Sequence, residues 1–95
     1  MLFAIHALDR AGALAIRLAN YDAHKAFLSD TSRFSVEIVM SGPLVSDDGA
    51  TMIGSLFLIE AAGRGDVEAF NRADPFAAAD IWEKVTITGF LRRQG

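Results

Sequence analysis

The side chains of this 95-residue chain that could do chemistry include two histidines, nine basic and twelve acidic residues, and no cysteine. His24 lies three residues after Tyr21 and four before Leu28, so on a helix it sits at the shoulder of an apolar stripe, half buried. Arg17, seven residues earlier, takes nearly the same angular position two turns away, which sets both on one cleft edge. A cation beside a base that titrates near neutrality suits an anionic or enolisable ligand. The plainer alternative is a boundary histidine that hydrogen-bonds a neighbour. Asp74-Pro75 is a helix start, with Asp at the capping position and Pro at the first helical one. Capping alone accounts for it, yet the same position lets a carboxylate orient a histidine and stabilise its cation.

Other patterns are excluded. His6 is mid-strand on a face with Ala4 and Leu8, a core or dimer-interface position. With two histidines on different elements, no HExxH and no thiolate, neither a metal nor a cofactor is expected. No Gly-x-Ser-x-Gly elbow is present. Gly63-Arg64-Gly65 is a turn, because Glu68 stands where a dinucleotide fingerprint needs its third glycine.

The elements that must position these residues follow from periodicity. Leu2 to Leu8 is apolar on both parities, a strand covered on both faces. Asp9 is the expected cap of a helix from about Arg10 to Ser29, with Leu14, Leu18, Tyr21 and Leu28 on its buried stripe. Ser35 to Ser41 alternates as a second strand that Gly42 and Pro43 stop, and Leu44 to Thr51 is a loop. Ser55 to Ala62 is the third strand. Asp66 then caps a short helix holding Val67, Phe70 and Ala73, Phe76 to Trp82 adds a helical turn or two, and Val85 to Leu91 alternates as the last strand. Gly42, Pro43 and Phe76, at strand and helix ends, are the expected pocket walls.

The order β-α-β-β-α-β is the ferredoxin-like, split βαβ plan, an α+β fold with both helices on one face of a four-stranded antiparallel sheet. Strands apolar on both parities need cover on the other face as well. A second copy packed sheet to sheet, in the dimeric α+β barrel manner, is the cheapest, so a homodimer through the open sheet face is expected. The length implies a single domain over residues 1–95. A net charge of −3 and a pI near 5.2 argue against nucleic acid. Met1 to Ala7 lacks a basic flank and no apolar run reaches membrane-spanning length, so a mature cytoplasmic chain with no membrane partner is expected.

Several short segments together resemble the YCII-related (YciI-like) family across nearly the whole chain. They are Leu2 to Leu8, the helix with Arg17 and His24 seven apart, Gly42-Pro43-Leu44, Gly54-Ser55, and Asp74-Pro75-Phe76. The resemblance implies a small dimeric ferredoxin-like protein with a histidine–aspartate dyad, placed here on His24 and Asp74. One branch of that family resembles dehydrochlorinases of hydroxylated chloroaromatics. This chain departs from the family in having Tyr21-Asp22 where Arg-Pro is frequent and Lys25 where Leu is common.

The function expected is acid–base chemistry on a small molecule: an elimination, tautomerisation or isomerisation beside a carbonyl or phenol. His24 would move the proton, Asp74 would orient it, and Arg17 would hold an oxyanion or a substrate carboxylate. The rivals are a non-catalytic small-ligand binder or accessory dimer, and a cofactor-free monooxygenase of the dimeric α+β barrel type.

Overall fold

Strand β1 (Leu2–Asp9) is central in the computed structural model, which describes residues 1–95. It pairs antiparallel with β3 (Met52–Ala61) on one side and β4 (Trp82–Phe90) on the other, and β2 (Val36–Val45) completes the order β2-β3-β1-β4. The helices are α1 (Leu14–Ala19), α2 (Tyr21–Leu28), α3 (Arg64–Ala73) and the single turn α4 (Pro75–Ala78). This is the expected α+β plan with a four-stranded antiparallel sheet. No helix is long and apolar enough to cross a membrane.

Alternation along the strands sorts the side chains. Phe3, Ile5 and Ala7 of β1 and Phe57, Ile59 and Ala61 of β3 point to the helix face, where they meet Val67, Phe70 and Phe76 in the core. The phenyl rings interlock edge to face, Phe57 against Phe70 at 5.9 Å and 90°. On the opposite face Leu56, Leu8 and Met40 are exposed, and His6 stands there beside Leu56 and Thr86, its register partners.

The long helix expected over Arg10–Ser29 is two. Asn20 ends α1 and begins α2: its side-chain amide donates to the Ile16 carbonyl at 2.9 Å, and its own carbonyl accepts from His24 N–H at 3.0 Å. An Asn side chain competing for a helical carbonyl breaks the regular run without turning the chain aside. Asp9 is not the cap. It is the last residue of β1, past a bulge, and α1 begins at Leu14 with no side-chain cap. Nor are Leu14 and Leu18 buried, being 39% and 53% exposed; the buried side chains are Arg17 at 2% and His24 at 7%. Counting apolar residues misplaced this face because charged groups that satisfy one another fill it.

Strand β2 runs through Gly42 and Pro43 instead of stopping there. It is an edge strand, where a residue lacking an N–H can be accommodated. A bulge between Ile38 and Met40 switches its parity, so that Pro43 faces the same side as its partner Ser55. The loop shrinks accordingly to a turn before β3, in which Asp48 accepts Ser46 O–H and Ala50 N–H, holding its carboxyl below the usual range. Asp66 lies in the first turn of α3 but does not cap it. Trp82 opens β4 rather than closing a helix.

Candidate active site

Arg17 is carried into the interior by α1, where a charged group is tolerated only if its donors are satisfied. Its Nε donates to Asp9 Oδ2 at 2.7 Å and its Nη2 to Asp9 Oδ1 at 3.1 Å, the two-point match of a guanidinium to a carboxylate. The second hydrogen of Nη2 goes to Ser55 Oγ at 2.6 Å. The bulge at Leu8/Asp9 belongs to this arrangement, since it lies where the strand delivers the carboxylate. The Nη1 hydrogens have no partner within the chain.

His24 enters from α2 one heptad later. Its Nδ1 is 2.9 Å from both carboxylate oxygens of Asp74, which is 1% exposed. A carboxylate can only accept, so Nδ1 carries the hydrogen, and in the neutral ring Nε2 keeps its lone pair. Asp74 also caps α4 as expected, Oδ1 accepting from Phe76 N–H at 2.8 Å with Pro75 at the first helical position. The Phe76 ring stacks on the imidazole, centroids 3.9 Å apart and 11° from parallel, and the Arg17 guanidinium carbon lies 4.6 Å from the same ring's centroid. One ring thus touches both polar side chains.

The two open into a cavity of about 210 Å³ between α1–α2 and the β2–β3 edge. Gly42 and Pro43, expected as walls, line it, together with Ser55, Phe57, Tyr21 and Lys25. Phe76 does not. It is fully buried and stands behind His24 and Arg17 instead of facing the cavity. Asp9 and Asp74 offset the charge within, while Lys25, its Nζ 5.0 Å from the Tyr21 ring centroid and 3.6 Å from Asp22, is an exposed cation at the edge.

The structure therefore brings His24, Arg17, Gly42 and Pro43 together around one space, with Asp74 and Phe76 buried behind them as support. Sequence reasoning missed Asp9 and Ser55. Asp9 was absorbed by its capping look. Ser55 left a fainter signal: it is a lone hydroxyl at a core-facing position of an apolar strand.

Comparison with known proteins sets this geometry among relatives. The YCII-related domain model matches residues 1–91. The chain is 32% identical to Protein YciI of Escherichia coli, over 97% of this chain and 98% of that protein, and to Protein YciI of Shigella flexneri to the same degree. Among solved structures it is similar to 5-chloro-2-hydroxyhydroquinone dehydrochlorinase from Burkholderia phenoliruptrix, in complex with 2,5-dihydroxybenzoquinone. That likeness has a TM-score of 0.86 and 31% identity, over 98% of this chain and 96% of the other. The Arabidopsis thaliana protein At3g17210 shares the fold, at a TM-score of 0.51 and 11% identity, over 99% and 96% of the two chains.

Proposed function

The chain belongs to the YCII-related domain family, and from that footing we propose that it is a small-molecule enzyme in which His24 and Asp74 perform general acid–base chemistry. The observation that carries the reading is the Nδ1 of His24 held by both oxygens of Asp74, with Nε2 unbonded in a residue that lines a cavity. In this arrangement Nε2 takes a proton from carbon beside a carbonyl or phenol and releases it in a later step. Asp74 holds the tautomer and stabilises the imidazolium, and the Phe76 stack fixes the plane of the ring. Arg17, with two free N–H groups on Nη1, stabilises the negative charge that builds on oxygen.

The cavity sets the scale of the substrate. About 150 Å³ is enough for benzene, so 210 Å³ accepts one ring with a few substituents. The Burkholderia relative, solved with a single oxygenated ring and named for removing hydrogen chloride from a chlorinated polyphenol, supports a hydroxylated aromatic or enolisable carbonyl compound as substrate class. Loss of hydrogen chloride requires a base for the proton and donors for the charge, the two functions proposed here. We also propose that the apolar open face of the sheet pairs with a second copy.

Solvent deuterium exchange tests the reading without knowledge of the product. Hydroxylated aromatics and enolisable ketones, 5-chloro-2-hydroxyhydroquinone among them, are incubated with the wild type and with His24→Gln. Wild-type-catalysed exchange that falls about 10²–10⁴-fold in the variant is expected for a positioned base. Exchange that survives in His24→Gln, or its absence from the wild type across the panel, overturns it.

A further inference from the structure

The chain has six serines, and their hydroxyls differ in where the hydrogen goes. Ser29 donates to the Ala26 carbonyl, Ser32 to Asp30 and Ser46 to Asp48, while Ser35 and Ser41 are exposed. Ser55 is the buried one, at 2% exposure. Its Oγ accepts from Arg17 Nη2 at 2.6 Å and makes no other hydrogen bond within the chain. A hydroxyl has one donor and two acceptor sites, and here a lone pair is committed to a guanidinium and the hydrogen is not committed to anything. A buried donor without an acceptor is costly. Ser55 lines the cavity, so that hydrogen's available acceptor is whatever occupies it.

We propose that Ser55 is a second donor to the ligand's anionic oxygen, acting alongside Arg17. Accepting a bond from a cation polarises the hydroxyl and makes its hydrogen a stronger donor. Asp9 sets the arrangement from the other side: by engaging Nε and one Nη2 hydrogen it turns the second Nη2 hydrogen to Ser55 and leaves Nη1 free. The ligand is thereby specified as one that presents a phenolate, enolate or carboxylate oxygen to the β3 side of the cavity while its exchangeable proton faces His24. This rests on the acid–base reading above and adds a group that touches the substrate.

The test uses two probes that differ by one anionic oxygen, 4-nitrophenolate and nitrobenzene, titrated into the wild type and Ser55→Ala at a pH where the phenol is ionised. The expected result is affinity for 4-nitrophenolate about tenfold or more weaker in Ser55→Ala, as for a lost hydrogen bond to a charged group, with nitrobenzene changed less than about twofold. The absorption band of bound 4-nitrophenolate should also move to longer wavelength in the variant, because a donor at the phenolate oxygen shifts it the other way. Ser55→Cys, nearly isosteric and a weak donor, gives the same comparison if the Ala variant does not fold. Equal weakening of both probes means a structural serine and overturns the proposal, as does unchanged 4-nitrophenolate binding or a wild type that binds neither probe. Deuterium exchange in His24→Gln reads the acid–base assignment separately, so either reading can fail alone.

Discussion

Asp74 Oδ1 accepts two hydrogen bonds at once, from His24 Nδ1 at 2.9 Å and from Phe76 N–H at 2.8 Å. The cap of α4 and the orientation of the imidazole therefore depend on the same oxygen. The Phe76 whose N–H is capped is also the residue whose ring stacks on that imidazole. The histidine, its acceptor and its stacking partner are thereby joined in one cluster, in which Asp74 both caps α4 and accepts from the imidazole.

Asp74→Asn separates the two. Asn caps about as well as Asp, so unfolding by urea should show little change, while an amide that turns its NH₂ toward Nδ1 favours the tautomer with hydrogen on Nε2. Nitrogen-15 NMR of His24 should show that hydrogen moving from Nδ1 to Nε2. Any turnover should fall about 10–150-fold, the value of a hydrogen bond to a charged group. A variant with the wild-type tautomer and rate would reduce Asp74 to a cap.

The Arg17–Asp9 pair has side chains only 2% and 6% exposed. Removing one partner leaves a buried charge uncompensated, which costs about 3–5 kcal/mol. Asp9→Ala should lower stability by that order, read as the shift of the urea midpoint at unchanged slope. Arg10→Ala, which breaks an ion pair with Asp80 whose side chains are 49% and 78% exposed, should cost about 1 kcal/mol or less. Similar losses in the two variants would show that the interior pair is not desolvated as described.

What was legible in the sequence depended on where the partner of each residue lies. The apolar runs of β1 and β3 and the cap at Asp74 were readable because they are local. Arg17 and His24 stayed on one face although the helix is broken, because Asn20 O still accepts His24 N–H and the backbone phase survives. Asp9 and Ser55 were not readable, since their roles exist only once β1, α1 and β3 meet around one guanidinium. The same polar cluster explains why the apolar stripe misleads: a buried face filled by paired charges carries no apolar period, and Leu14 and Leu18 lie on an exposed one. The end of β2 is not legible from Gly42-Pro43, because that pair stops an interior strand but not an edge.

Gly54 marks a close approach between strands. A Cβ built there would lie 2.4 Å from the Ala7 carbonyl oxygen and 2.9 Å from Leu44 Cδ1, and the first of these is backbone that cannot move aside. Gly54→Ala should cost about 1–3 kcal/mol through overpacking and speed amide hydrogen exchange first at the Leu8–Gly54 end of the β1–β3 ladder. Exchange rising evenly over the whole sheet would instead indicate a global loss.

The proposed dimer is tested at Leu56, on the open face, where it pairs in register with His6 and is 39% exposed. Leu8, Met40 and Phe90 are exposed hydrophobics too, and Met40 and Phe90 fall on this face by their pairing with Leu58 and Leu2. Removing such surface from water is worth about 25 cal/mol per Å², and an aligned sheet on sheet is the packing that buries most of it. Leu56→Glu places a carboxylate on this face and, across a two-fold axis, brings its copy near it, so each protomer must desolvate a charge that no cation answers. Sedimentation equilibrium should therefore give twice the 10.2 kDa chain mass for the wild type and the single mass for Leu56→Glu. His24 and Arg17 are buried on the helix side of the sheet, so the monomeric variant should keep the cavity's ligand affinity within a few fold. A wild type that sediments as a monomer, or a Leu56→Glu variant that stays paired, removes the open face as the dimer surface.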